Sequence, residues 1–159
     1  MGGFADYKKR IDATIKQLND ERKKNTQILA NDAFATVSAR VINTGAKATG
    51  GSFEPYSPAY KKSKAKGTAK SGVGPRTVAF RDFKLSNDMW KGTTGVFDGE
   101  TKGKTAFVHG SHDARQQVKI DANVKRSGNY LALSKKEIDL LHVLNQERLS
   151  KTLKDNGIG

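Results

Sequence analysis

Phe4, Tyr7, Ile11, Ile15 and Leu18 recur at spacings of three and four, which places them on one stripe of a helix. The stripe fades through the polar stretch 19–25 and resumes at Ile28, Leu29, Phe34, Val37, Val41 and Ile42. Unbroken, a helix from Phe4 to Ile42 would run roughly 60 Å at about 1.5 Å per residue, longer than a domain of this size can cover. The spacing therefore predicts either one long helix with a projecting part or two helices in succession. Any uncovered part calls for a neighbour. Asn43-Thr-Gly45 predicts the stop, because glycine accepts the left-handed conformation that ends many helices.

The rest of the chain must supply what such a helix packs on. With 159 residues and 35% hydrophobic content, the chain can build one modest core and not two. It has no cysteine, which excludes a disulfide framework and thiolate metal sites, so the fold rests on its core or on assembly. The amino terminus has no apolar run after its charges, and nowhere do 18 apolar residues run together, so a soluble, cytosolically made protein with no membrane partner is expected. Lys and Arg number 29 against 16 Asp and Glu, a net charge of +13 that favours polyanions or acidic protein surfaces.

Much of that charge is concentrated. The stretch from Gly45 to Pro75 is rich in Gly, Ser, Pro, Lys and Ala and follows neither the helix nor the strand period. Between Pro55 and Arg81 lie Lys61, Lys62, Lys64, Lys66, Lys70, Arg76 and Arg81 with no acidic residue. Tyr56 and Tyr60 precede the run, a pattern that suits phosphate neutralisation and base stacking. It equally suits an assembly contact or a solvated loop.

Beyond it, Thr77 to Leu85, Met89 to Phe97 and Thr105 to His109 are short runs with β-branched and aromatic content, read as antiparallel strands. Asp98-Gly99 and Lys102-Gly103 predict the turn region of a hairpin. A helix is expected over 112–125 with Ala114, Val118, Ala122 and Val124 on its apolar side. Ser134-Lys-Lys-Glu137 is a capping box opening a final helix with Ile138, Leu141, Leu144 or Asn145, Leu149 and Leu153 at helical spacing. The expected fold is α+β: a long N-terminal helix, a small antiparallel sheet of three to four strands, and one or two C-terminal helices. It is organised as a helical segment over 1–44 packing on the core, a basic loop over 45–76, and sheet plus helices over 77–159.

Enzymatic motifs are weak. The segment Gly99 to Thr105 has three residues between its glycines where a phosphate loop needs four, and it leads into a strand, not a helix. His109, His112 and Asp113 offer too few converging metal ligands, with His142 on the last helix, and no metal or cofactor is assigned. There is no Gly-x-Ser-x-Gly elbow and no cysteine nucleophile. Asp82 and Asp88 lie among Lys and Arg, which suits salt-bridged surface residues better than general acids. Trp90 is expected in core or interface packing.

Three segments together form a pattern: Arg40-Val-Ile-Asn-Thr-Gly45 closing the helix, Gly50-Gly-Ser-Phe53-Glu-Pro-Tyr56-Ser57-Pro58-Ala-Tyr60-Lys-Lys, and Phe83-Lys-Leu85-Ser-Asn-Asp88-Met89-Trp90. This resembles the tail-completion and neck proteins of tailed bacteriophages, although Ser86-Asn87 stands where that family usually has Thr-Gly. Gly128-Asn-Tyr130-Leu-Ala-Leu133-Ser134-Lys-Lys-Glu137 is similar to the family's lead into its final helix. The resemblance implies a structural virion protein without enzymatic activity, forming a homo-oligomeric ring at the head-to-tail junction or tail end. Its implied partners are further copies of itself, portal, head-tail connector or tail proteins, and packaged DNA, with the virion as its location and the host cytoplasm during assembly. Phe53, Tyr56, Tyr60, Lys61, Lys62, Lys64, Lys66, Lys70 and Arg76 are the expected assembly or DNA contacts. The alternative is a non-specific basic nucleic-acid-binding protein.

Overall fold

Of the two possibilities for the first third, the chain takes two helices. In this computed structural model, which describes residues 3–66, 78–83, 90, 93–101, 104–111 and 113–158, α1 (Phe4–Asp20) and α2 (Arg22–Thr44) meet at Glu21. The Glu21 amide donates to the Gln17 carbonyl at 2.9 Å, and its own carbonyl accepts from the Asn25 amide at 2.9 Å. Hydrogen bonding thus runs through the joint. What lapses there is the apolar stripe, and α1 beyond it buries only Thr14.

On α2, Thr26, Ala30, Ala33, Val37 and Val41 are buried along one face. The two alanines let neighbouring backbone approach closely. Gly45 ends the helix as expected, with φ 63°. A Cβ there would lie 2.7 Å from Phe80, so both its conformation and its neighbour demand glycine. The chain then turns through Gly50 and Gly51, and the Phe53 amide donates to the Gly45 carbonyl at 3.0 Å, which delivers the Phe53 ring to the core.

Inside the segment expected to be a loop lies a third helix, α3 (Pro58–Lys66). Ser57 starts it: the Lys61 amide donates to the Ser57 carbonyl at 2.9 Å and the Tyr60 amide to Ser57 Oγ at 3.4 Å. Pro58 occupies the first helical position, where its missing N–H costs nothing. These two residues were the signal for a helix, hidden by the lack of any apolar period.

The expected α+β fold with a sheet of three to four strands is overturned. The chain is mostly helical, with five helices among the described residues. Strand pairing there is confined to one antiparallel hairpin, β1 (Thr93–Thr101) with β2 (Lys104–Ser111), apart from a single bridge between Ala46 and Ser52. A lone hairpin is marginal by itself and forms no layer; this one lies mainly against α2. The strand expected over 77–85 does not form across 78–83. Phe83 has φ 53°, a left-handed conformation that no strand accommodates, and Trp90 is helical. Thr77, Lys84, Leu85 and Met89 lie outside the described residues. Within the hairpin, Phe97 pairs with Phe107 and Gly99 with Ala106, so Asp98 is an extra residue in β1. Asp98-Gly99 is therefore a bulge, not part of the turn region.

Two helices complete the chain, α4 (Ala114–Ser127) and α5 (Lys135–Asp155). Asp113 caps α4 by accepting the Arg115 amide at 2.8 Å. The apolar side expected for α4 is corrected: Ile120 is buried and Val124 packs on the core, whereas Val118 is 67% exposed. The capping box of α5 forms as expected, Ser134 Oγ accepting the Glu137 amide at 3.3 Å and the Ser134 amide donating to Glu137 at 2.6 Å.

The core gathers Val37, Val41, Phe53, Trp90, Ile120, Tyr130 and Leu131, with Phe34, Ile42, Phe83, Val124 and Leu133 against it. Aromatic rings carry its centre. Phe83 stacks on Tyr130 at 4.4 Å, Phe53 meets Phe83 edge-on at 5.1 Å, and Trp90 meets Tyr130 edge-on at 6.0 Å. Such pairs contribute about 0.5–1.5 kcal/mol each beyond area burial. That is enough to offset the roughly 1–3 kcal/mol of holding Phe83 in the left-handed region.

Candidate interaction surfaces

The residues expected as contacts divide sharply. Phe53 is buried in the core, and Tyr56 is half-buried with its ring 4.8 Å from that of the exposed Tyr60. On α3, Lys62 and Lys66 are exposed and Lys61 is half-buried, but Lys64 is wholly buried. Two positions away from both Lys62 and Lys66, it falls on the opposite side of the helix. Lys70 and Arg76 lie outside the described residues.

Lys64 forms a buried ion pair with Asp82. Its ammonium also donates to the Tyr56 hydroxyl at 3.3 Å and sits 4.5 Å over the Tyr56 ring. The Tyr56 hydroxyl donates to Asp82 Oδ1 at 3.0 Å and accepts the Phe83 amide at 2.9 Å. Burial, reinforced by the neighbouring Asp82 carboxylate, pushes the Tyr56 phenol far above its usual range, so it stays protonated. Trp90 Nε1 donates to the Asp82 carbonyl at 3.2 Å. Asp82, expected as a surface salt-bridge partner, is thus paired but buried, and its role is to hold α3 to the core. Breaking a pair of this kind costs about 3–5 kcal/mol because one charge is left alone in the interior.

Arg81 makes the adjoining link. Its guanidinium donates to Ser127 Oγ at 2.6 Å and to the Pro55 carbonyl at 3.2 Å, and lies 5.5 Å over the Tyr56 ring. It therefore connects the end of α4 with the segment leading into α3.

A second surface is apolar. Every residue of α1 from Phe4 to Arg10 is exposed, Phe4 at 84%, and Thr14 is the one buried position of that helix. Tyr7 and Ile15 are exposed, and Ile11 and Leu18 half-buried. The helix touches the far end of the chain, where the Asn156 side chain donates to Gln17 Oε1 at 3.1 Å and Arg10 to the Gly157 carbonyl at 3.5 Å. On α5, Leu141 is buried while Ile138, Leu140, Val143, Leu149 and Leu153 are exposed, so the stripe expected there is only partly used.

The segment 99–105 joins two strands, which gives no helix start to receive a phosphate. His142 is exposed on α5, His109 lies in β2, and His112 is outside the described residues. Among the described residues, no group of three His, Asp or Glu could hold a metal ion, and no helix is long and apolar enough to cross a membrane. Comparison with protein-family models, with curated proteins and with solved structures gave no match.

Proposed function

We propose that the chain is a structural subunit of a tailed-phage virion, placed at the head-to-tail junction or the tail end. In this role it assembles as a homo-oligomeric ring that joins head to tail and has no enzymatic activity. The observation that supports it is α1. A 17-residue helix that buries only Thr14 and exposes Phe4, Tyr7 and Ile15 has little of its own to hold it folded. Most helical stability in a folded chain comes from packing an apolar face, and α1 packs little of its own against this subunit. Identical neighbours in a ring would supply that face. Portal, head-tail connector or tail proteins, and DNA threading the ring, complete the set of partners.

The test is the oligomeric state of the full chain by sedimentation velocity and negative-stain imaging. Closed rings are expected, and Phe4→Glu/Tyr7→Glu/Ile15→Glu should give a folded monomer. A protein that stays monomeric at high concentration and binds DNA as a monomer would overturn the ring in favour of a free nucleic-acid-binding protein.

A further inference from the structure

We propose that the exposed lysines of α3 and the basic end of α4 together form one two-part surface for the phosphate backbone of duplex DNA. It deepens the preceding proposal, on which it rests for the source of the DNA. The juxtaposition is made by Arg81, which holds Ser127 at the end of α4 and the Pro55 carbonyl just before α3. Lys125 and Arg126, in the last turn of α4, are exposed beside that link. Lys62 and Lys66 are exposed one turn apart on one side of α3, and Lys61 is half-exposed between the faces. Elements about 60 residues apart in sequence thus bring basic groups to the same link.

A helix end that complements its own dipole accounts for part of this pattern, since cations in the last turn face unpaired carbonyls. It does not account for Lys61 and Lys62, which lie nearer the start of α3. Nor does it explain why the whole stretch between Pro55 and Arg81 lacks a carboxylate. Two acids flank the stretch: Glu54 is exposed just ahead of Pro55, outside α3, and Asp82 is neutralised inside by Lys64. That pair makes Lys64 a positioning residue: it spends its charge on fixing α3, so that the remaining lysines are carried on an anchored helix.

Composition favours phosphate over an acidic protein. Protein interfaces are depleted of lysine at their centres and are anchored by buried apolar or aromatic groups. The exposed residues of α3 are Pro58, Ala59, Tyr60, Lys62, Ser63, Ala65 and Lys66, in which Tyr60 is the single large ring. A lysine-rich surface with one aromatic suits a regularly charged backbone that asks for charge more than for shape.

The experiment measures binding of a random-sequence DNA duplex to the full chain across a salt series. Three proteins are compared: wild type, Lys61→Gln/Lys62→Gln/Lys66→Gln, and Lys125→Gln/Arg126→Gln. Each phosphate contact contributes about 0.9 to the slope of log affinity against log salt, so the slope should shrink by up to about 3 in the first variant and about 2 in the second. Circular dichroism and melting should be unchanged in both, because the replaced groups are exposed or half-exposed. No binding by wild type at low salt overturns the proposal. So does an unaltered slope in the α4 variant, or polyglutamate competing as well as DNA per unit charge. The Phe4→Glu/Tyr7→Glu/Ile15→Glu monomer should still bind DNA through this surface, which separates failure of the ring from failure of the DNA contact.

Discussion

Arg40 Nε donates to Glu137 Oε1 at 2.8 Å, joining residues 97 positions apart. The same guanidinium donates to the Ala46 carbonyl at 2.5 Å and the Ala132 carbonyl at 2.7 Å. Glu137 in turn receives the Ser134 amide. One side chain on α2 therefore holds the end of its own helix, the chain before α5 and the cap of α5. Burial tends to raise the Glu137 pKa, but the Ser134 backbone, the Arg40 hydrogen bond, the Ser134 side chain and the Arg40 charge outweigh it and hold the carboxyl below its usual range.

Arg40→Lys should destabilise the fold by about 2–4 kcal/mol, since an ammonium cannot reproduce a planar fork reaching three acceptors. Urea unfolding is the measurement, and loss below about 0.5 kcal/mol would show that the network contributes little. A group whose pKa is lowered by folding stabilises above its unfolded value and ceases to do so as pH falls through the folded one. Acid unfolding of Glu137→Gln should accordingly show a shallower pH dependence than wild type below about pH 4.5.

Lys64→Met should cost about 3–5 kcal/mol by leaving Asp82 buried without its cation. Lys64→Met/Asp82→Asn should lose less than the sum of the single changes, because both remove the same attraction. Strict additivity in urea denaturation would deny the coupling.

Gly45→Ala is expected to lower stability by at least about 1 kcal/mol, a shift in melting temperature of about 2–4 °C or more. Two causes act together, the left-handed φ of 63° and the approach to Phe80. An unchanged melting temperature would mean that both are relieved by small shifts.

Alkali should destabilise the protein through its tyrosines. For Tyr56 and Tyr130, burial and a nearby carboxylate, Asp82 and Asp121 respectively, raise the phenol far above its usual range. A raised folded pKa gives stability that is complete below the unfolded value near 10 and declines as pH climbs above it. Melting temperature should thus fall between about pH 10 and 12, and Tyr56→Phe should flatten that fall. A flat wild-type profile over the same interval would contradict it.

Hydrogen exchange should be fast for amides in the first two turns of α1 and slow for those between Ala30 and Val41, where the helix face is fully buried. In the ring proposed above, covering α1 would slow the first group selectively.

What could be read from sequence was local. The Ser134–Glu137 box and the Gly45 stop are each specified by side chains within a few residues, and both form. The break near Glu21 was visible as a gap in the stripe. By contrast, α3 has no apolar period, and a Ser-Pro start alone does not distinguish a helix from a turn. The Lys64–Asp82 pair joins two segments whose own patterns say nothing of each other. Phe83 and Trp90 look like strand residues by propensity, yet both are taken up by ring packing around Tyr130. Aromatic content marks half-buried surface in general and does not distinguish a sheet from a helical core.

The enclosure of Lys64 has a practical side. An amine-directed acylating reagent should mark Lys62 and Lys66 readily in the native chain while sparing the ammonium held by Asp82 and Tyr56. Peptide mapping after such treatment would make that single lysine an internal gauge of whether α3 is seated.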